Sequence, residues 1–393
     1  SFTPSNVSTK FVSQSQTSVY NSQTRRFVTG RADGGEKYPA QITPTKEQVD
    51  EWMKGYGEES RKYRRSYFTA GDWVRTRRPD RFVNNLATTF NSGLIRQLSV
   101  ELPTISIVSV FVCLYNTLLI DGYEDFFGAH HDKIIDAMLP PLQAPFNAFS
   151  LPVGALGLLL TFRTNVSFQR WNQARTAWGK VINDSRSIAR MGCTWSRQYQ
   201  NIDDSKLQRL GEAICSFSRT LQNRVLTPQE DEADFREYCR TRLTDEKYAE
   251  KLLTAKHRPT ASLAEITSSV VDLGLDPIHQ VEVELPITGL CDALGASERI
   301  FTSPVPTFYT RHTARFLAFW LLCMPLALYD PFKVSWNHWA TIPATTIISA
   351  FLLGIEELAT QMEEPFSILP MEKMCEGSIA TPVMEQVERS KRG

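Results

Sequence analysis

Apolar residues in this chain are gathered into a few blocks separated by polar stretches. Residues 102–120 form the first charge-free apolar run. A hydrocarbon core about 30 Å thick needs about 20 helical residues, so this run predicts a membrane-spanning helix. It extends upstream to Gly93, with Arg96 and Glu101 near the interface. Residues 137–162 form the second charge-free run, interrupted by Pro140, Pro141, Pro145 and Pro152. Proline removes a backbone donor and clashes with the preceding turn, so at least two helical pieces are expected, the later one starting near Ser150 or Leu151. Irregular backbone at membrane depth persists only where protein or water satisfies it, which points to a pore or cavity. Residues 316–329 are a short third run. It becomes a span when extended back to Tyr309, with Arg311 and Arg315 reaching the interface. Residues 334–355 form the fourth, broken only by His338, with Trp336 and Trp339 at its start as interfacial aromatics.

Between the second and third runs the pattern changes to amphipathic helical segments: 165–197, 206–225, 232–243, 245–255, 262–273 and 278–301. These predict a helical domain outside the bilayer. Charge then sets the orientation. Arg61, Lys62, Arg64, Arg65, Arg75, Arg77, Arg78 and Arg81 precede the first span, and Asp121, Glu124, Asp125, Asp132 and Asp136 follow it. The positive-inside rule places the N-terminus on the inner side. Four spans in two hairpins return the C-terminus to that side. The basic segment reads as lying at an anionic lipid surface, or as a solvated helix face. The expected divisions are 1–43 without structure, 44–92 juxtamembrane (with a short helix at 44–58), 93–165 first hairpin, 166–307 inner domain, 308–355 second hairpin and 356–393 tail.

Composition adds mainly exclusions. The 393 residues hold 43 basic and 43 acidic side chains, and a balanced charge gives no sign of nucleic-acid binding. The seven cysteines show no paired spacing and the six histidines no ligand spacing, so no metal site is expected. No phosphate loop, nucleophile elbow or metalloprotease motif is present, so neither an enzyme nor a cofactor is expected. Before Asp33 the chain has no acidic residue, but it carries Lys10, Arg25, Arg26 and Arg31 among Ser, Thr and Gln. That composition matches a plastid or mitochondrial transit peptide or its remnant, or else a serine-rich tail.

One stretch joins the apolar and basic halves of the chain: residues 151–180, LPVGALGLLLTFRTNVSFQRWNQARTAWGK. Spacing by four puts Leu151, Ala155 and Leu159 on one helical stripe, with Gly154 and Gly157 permitting close packing. On spacing alone this is equally an ordinary helix–helix contact. The segment FRTNVSFQRWNQAR resembles the pattern FRxNxSxxRWxxAR of the bestrophin-like anion channels. His257-Arg258-Pro259 and residues 356–366 (EELATQMEEPF) are similar to later motifs of that family. The resemblance runs from about Tyr67 to about Ile379, and the plant thylakoid voltage-dependent chloride channels look most similar.

The resemblance implies an all-α membrane protein with four transmembrane helices in two hairpins, assembled as a homopentamer around one axial pore. It implies a narrow neck at Leu151, Ala155 and Leu159. A helix start at Ser150 would attract anions there, and Arg163 would supply a cation at the inner mouth or a structural ion pair. It implies a lower constriction at Thr260. Calcium needs six to eight oxygens, several of them carboxylates. Here only Gln361, Glu364 and Glu372 stand where the family's calcium clasp would be, so little calcium control is expected. The implied function is a voltage-dependent chloride channel of the thylakoid membrane. It would pass chloride and other monovalent anions to balance charge and adjust the proton motive force, with membrane lipid its other partner. A secondary anion transporter and a non-conducting membrane scaffold remain as alternatives.

Overall fold

Proline and charge set where the helices of this chain begin and end. The computed structural model describes residues 26–31, 37–42, 60–89, 92–124, 130–131, 140–198, 203–333 and 338–392. The chain divides into two units, 1–59 and 60–393. In the first, β1 (Arg26–Arg31) pairs antiparallel with β2 (Lys37–Ile42), Arg26 opposite Ile42 and Arg31 opposite Lys37. Residues 1–43 were expected to lack structure. The ribbon forms from strand-favouring Phe27, Val28, Thr29, Tyr38 and Ile42, on either side of the turn-type sequence Asp33-Gly34-Gly35. The short helix expected at 44–58 lies outside the described residues, as does Trp336.

The second unit is mostly helical. Four short helices lead in: α1 (Arg61–Arg64), α2 (Ala70–Thr76), α3 (Arg81–Thr88) and α4 (Gly93–Gln97). Next, α5 (Glu101–Asn116) continues through a π turn to Asp121. A two-residue ribbon pairs β3 (Tyr123–Glu124) with β4 (His130–His131). α6 (Phe146–Ser150) precedes the long α7 (Val153–Ser196). The inner helices are α8 (Asp204–Val225), α9 (Pro228–Arg242), α10 (Glu246–Thr254), α11 (Arg258–Asp272) and α12 (Pro277–Thr302), close to the predicted segments. Then come α13 (Thr307–Leu328), α14 (Thr341–Glu363), α15 (Met371–Lys373), a π segment (Met374–Ala380) and α16 (Thr381–Arg392).

Among the described residues, three helical stretches are long and apolar enough to cross a membrane: Glu101–Asp121, Phe146–Ser196 and Thr341–Glu363. The third predicted span is present as α13, but Arg311, His312 and Arg315 in its first half keep it less apolar than the others. It packs with them all the same. Ile105 of α5, Leu156 and Leu160 of α7, and Leu317, Leu321 and Met324 of α13 share one core, and α14 packs against all three helices. The irregular segment after the first span is satisfied by protein. Asn116 donates to the Leu142 carbonyl at 2.9 Å and accepts from the Leu142 amide at 2.8 Å, while the Ala144 amide donates to the Leu326 carbonyl at 2.9 Å. This is how irregular backbone survives among apolar helices.

Helix α7 does not stop where the chain turns basic. Its 44 residues contain no internal proline, and at 1.5 Å per residue they reach about 65 Å, twice the thickness of a hydrocarbon core. The expected boundary at 165/166 therefore falls inside one helix, because nothing in the sequence there ends a helix. The far half of α7 packs with α8, α11, α12 and α16 around Trp178, Ile188, Leu210, Phe217, Ile266, Leu290 and Val387.

Arg170 sits at the junction of the two halves. Its guanidinium donates to the Glu363 carbonyl at 3.0 Å, the Ser303 carbonyl at 2.7 Å and the Ile300 carbonyl at 2.6 Å. The last carbonyls of a helix have no partner within it, so one side chain closes the ends of both α12 and α14. Lysine cannot reproduce this planar fork. Arg170→Lys is expected to cost about 2–4 kcal/mol, taking about 1.5–3 per charged hydrogen bond with partial retention. Thermal unfolding of the purified protein in detergent measures this, and an unchanged midpoint contradicts the capping role.

Candidate functional site

The site is built on α7, and burial divides that helix cleanly. Leu156, Leu160, Arg163, Ser167, Ala174, Trp178, Val181 and Ser185 are buried, at spacings of three and four. Opposite them runs a second stripe with the same spacing: Ser150, Gly154, Leu158, Phe162, Asn165, Gln169, Asn172, Thr176, Lys180 and Asn183. Every one of these residues is exposed. The stripe is apolar beside the membrane core and changes to amides, a hydroxyl and a lysine where the helix leaves it. Gly154 has open space where a Cβ would stand.

Of the predicted neck residues, Leu151 and Ala155 share the exposed side of the helix with this stripe, two turns before Leu158 and Phe162, and Leu159 turns away from it. Leu151 lies in the turn before α7 at 82% exposure, Ala155 is exposed but next to buried Leu156, and Leu159 is half-buried. The later helical piece begins at Val153, not at Ser150 or Leu151, because Pro152 lacks an amide hydrogen. The break is slight. Leu151 and Pro152 keep near-helical backbone angles, and the Leu151 amide donates to the Ala148 carbonyl. Leu158 and Phe162, at 56% and 53% exposure, are the large apolar residues of the exposed stripe that the sequence reading did not single out. The signal for them was the spacing Ser150, Gly154, Leu158, Phe162, which runs without interruption through the whole helix.

Of the two expectations for Arg163, a cation at the inner mouth or a structural ion pair, the structure shows the ion pair. Arg163 is 5% exposed, on the packed face between Leu160 and Ser167. Its Nε lies 2.6 Å from Oε2 of Glu356 on α14, as an ion pair without straight hydrogen-bond alignment. Its Nη2 donates to Thr360 Oγ1 at 3.1 Å. A guanidinium on that face leaves water and needs a counter-charge, which Glu356 provides.

Thr260 is exposed in the first turn of α11. Its amide and hydroxyl both donate to His257 Nδ1, the hydroxyl at 2.7 Å. His257 Nε2 then donates to Glu298 Oε1 at 2.9 Å, and Arg224 donates to the same oxygen at 2.8 Å. Burial opposes ionisation of Glu298, but these two hydrogen bonds hold its carboxyl below the usual range. The neighbouring Glu232 is lowered by hydrogen bonds from Arg258. The Thr260 hydroxyl spends its proton inward, so its lone pairs face solvent.

The expected calcium remnant is not assembled. Glu364 pairs with Arg61 at 3.0 Å, Glu372 lies 3.7 Å from Arg65, and Gln361 donates to Gln97 and Glu357. Among the described residues no group of His, Cys, Asp or Glu is placed to hold a metal. Arg65 also donates to the Ser367 carbonyl at 3.0 Å. Part of the basic lead-in thus grips the tail instead of facing lipid. α2 and α3 differ: Trp73, Phe82, Val83 and Leu86 are exposed beside Arg75, Arg77, Arg78 and Arg81, the mixture that settles at a membrane surface.

Removing one member of a buried ion pair strands the other charge. Glu356→Gln is expected to cost about 3–5 kcal/mol, while the double change Arg163→Met with Glu356→Leu recovers most of that. Unfolding midpoints in detergent measure both, and equal stability of the single and double variants contradicts the pairing.

The comparisons accord with this arrangement. A family model described as Bacterial/Fungal Bestrophin protein matches residues 72–382. Voltage-dependent chloride channel 2, chloroplastic, of Arabidopsis thaliana is 30% identical over 329 residues, covering 83% of this chain and 74% of that protein. Voltage-dependent chloride channel 1, chloroplastic, of the same plant is 29% identical over 344 residues, covering 87% and 78%. The crystal structure of a bacterial bestrophin homologue from Klebsiella pneumoniae superposes with a TM-score of 0.57 at 22% identity, covering 73% of this chain and 97% of that one. With the family model spanning both the apolar helices and the inner helical bundle, the chain belongs to the bestrophin family.

Proposed function

We propose that this chain is a voltage-dependent anion channel of the thylakoid membrane, conducting chloride and other small monovalent anions. Such a flux would balance the charge moved by proton pumping and so adjust the electrical part of the proton motive force. The observation that carries the reading is the exposed face of α7, apolar at Gly154, Leu158 and Phe162 and hydrogen-bonding at Asn165, Gln169 and Asn172. A single helix passes through the membrane and beyond it with one side unpacked over its whole length. Copies of that face around an axis give a narrow dry neck followed by a wet, uncharged vestibule, and five copies follow the family resemblance. The names of the two Arabidopsis relatives support chloride, voltage dependence and a chloroplast membrane.

In this reading the neck is centred on Ser150, Gly154, Leu158 and Phe162, with Leu151 and Ala155 at its edge and Leu159 turned away from it. Arg163 holds the neck helix against α14 and does not touch the ion. Thr260 presents acceptor lone pairs at a lower opening, which slows anions there. α13 completes a fourth span with Arg311 and Arg315 at the inner interface, and both termini lie in the stroma. Calcium control is absent, because guanidinium groups sit on the carboxylates a clasp would use.

Planar-bilayer recordings test this. Under a chloride gradient the reversal potential is expected to follow the chloride Nernst value. Phe162→Ala is expected to raise unitary conductance about twofold or more, and Ala155→Leu to leave it nearly unchanged, since a dewetting constriction responds to the residues that form it. Inner-side calcium is expected to leave the current unaltered. Coupled transport without unitary steps, or steep activation by submicromolar calcium, contradicts the proposal.

A further inference from the structure

Below the membrane, the exposed stripe of α7 ends in a groove of about 430 Å³ lined by Arg175, Thr176, Gly179, Lys180, Asn183 and Asp184. Arg175, Thr176 and Asn183 are exposed, and among the described residues none of the three has a hydrogen bond or ion pair within the protein. Lys180 is 3.3 Å from Asp184 Oδ2 and is held toward it by charge. That leaves the guanidinium of Arg175 as net positive charge, with a hydroxyl and an amide beside it. Gly179 lies in the floor, where a Cβ would stand 3.6 Å from Arg175 Nη1, an ordinary contact distance.

Unpaired donors grouped around an open groove suit a small anion. Arg175 offers a fork of N–H groups, Thr176 a hydroxyl proton and Asn183 an amide N–H. No acceptor within the protein takes these protons, whereas on the packed face Arg163 is paired with Glu356 and Arg170 donates to three carbonyls. Asp184 limits the strength of the site. Its carboxylate offsets Lys180 and leaves about one net charge, which concentrates an anion without trapping it. A conduction path needs this balance, because an ion must enter favourably and still leave.

We propose that this groove is an anion station outside the membrane, holding a halide or similar monovalent anion between Arg175, Thr176, Lys180 and Asn183. Its place in conduction rests on the channel reading, because Thr176, Lys180 and Asn183 continue the face that carries Leu158 and Phe162. The station raises local anion concentration at the inner end of the path. Its effect is therefore largest where salt is dilute, and is screened when the Debye length shrinks from about 30 Å at 0.01 M to about 3 Å at 1 M.

Two measurements on the full chain separate the station from the channel reading. Crystals soaked in bromide are expected to show an anomalous peak within hydrogen-bond distance of Arg175 in the wild type and none in Arg175→Gln. In bilayers, Arg175→Gln is expected to lower unitary chloride conductance about two- to threefold near 0.01 M chloride, with little change near 1 M. Arg175→Lys, which keeps the charge, is expected to retain most of the conductance. A wild-type crystal without the bromide peak overturns the station. A peak accompanied by unchanged low-salt conductance in Arg175→Gln overturns its role in the path. Wild-type protein that binds bromide but never conducts chloride supports the station and overturns the channel reading.

Discussion

Two inward-pointing arginines, two turns apart on one face of α7, fix the rest of this structure. Arg163 is matched by Glu356 and Thr360, and Arg170 takes the carbonyls that end α12 and α14. A guanidinium withdrawn from water must find a counter-charge or acceptors, because leaving it unpaired is costly. The packed face of α7 is thereby locked at the level where apolar helices give way to the inner bundle. Once that face is fixed, the opposite one is fixed too, and it stays uncovered from Ser150 to Asn183.

That division of labour runs through the family motif itself, whose residues are shared between the packed and the exposed faces of the same helix. Arg163, Ser167 and Arg170 of the motif point into the protein. Leu158, Phe162, Asn165 and Gln169 point away from it. Changing Arg163 or Arg170 loosens the scaffold, whereas changing a stripe residue alters only what meets the open side. The lead-in segment adds a second anchor, since Arg61 and Arg65 hold the chain against Glu364, Ser367 and Glu372 just past α14. The end of α14 is thus held from two directions, by Arg170 from α7 and by this clamp from before α4.

Much of the fold was legible in the sequence. The apolar runs became α5, the α6–α7 pair, α13 and α14, and the inner helices fell close to their predicted positions. Two readings changed and one was decided, for separate physical reasons. The domain boundary at 165/166 follows the change from apolar to basic, and it falls within one unbroken helix because no cap or proline stands there. The neck was placed on Leu151, Ala155 and Leu159 by spacing of four, and in the folded chain Leu159 is half-buried while Leu158 and Phe162 are exposed. For Arg163 the sequence left both a cation at the inner mouth and a structural ion pair open. Its counter-charge, Glu356, is far away in sequence, and only the folded chain brings the two together.

The central claim is that the uncovered stripe of α7 lines the anion path. Single cysteines placed along that helix and exposed to a small anionic thiol reagent during bilayer recording test it most directly. Chloride current is expected to fall when cysteine replaces Gly154, Leu158, Phe162, Asn165 or Gln169, and to persist when it replaces Ala155, Leu156, Leu159 or Leu160. Block at Ala155 and Leu159 with none at Leu158 and Phe162 would contradict the account.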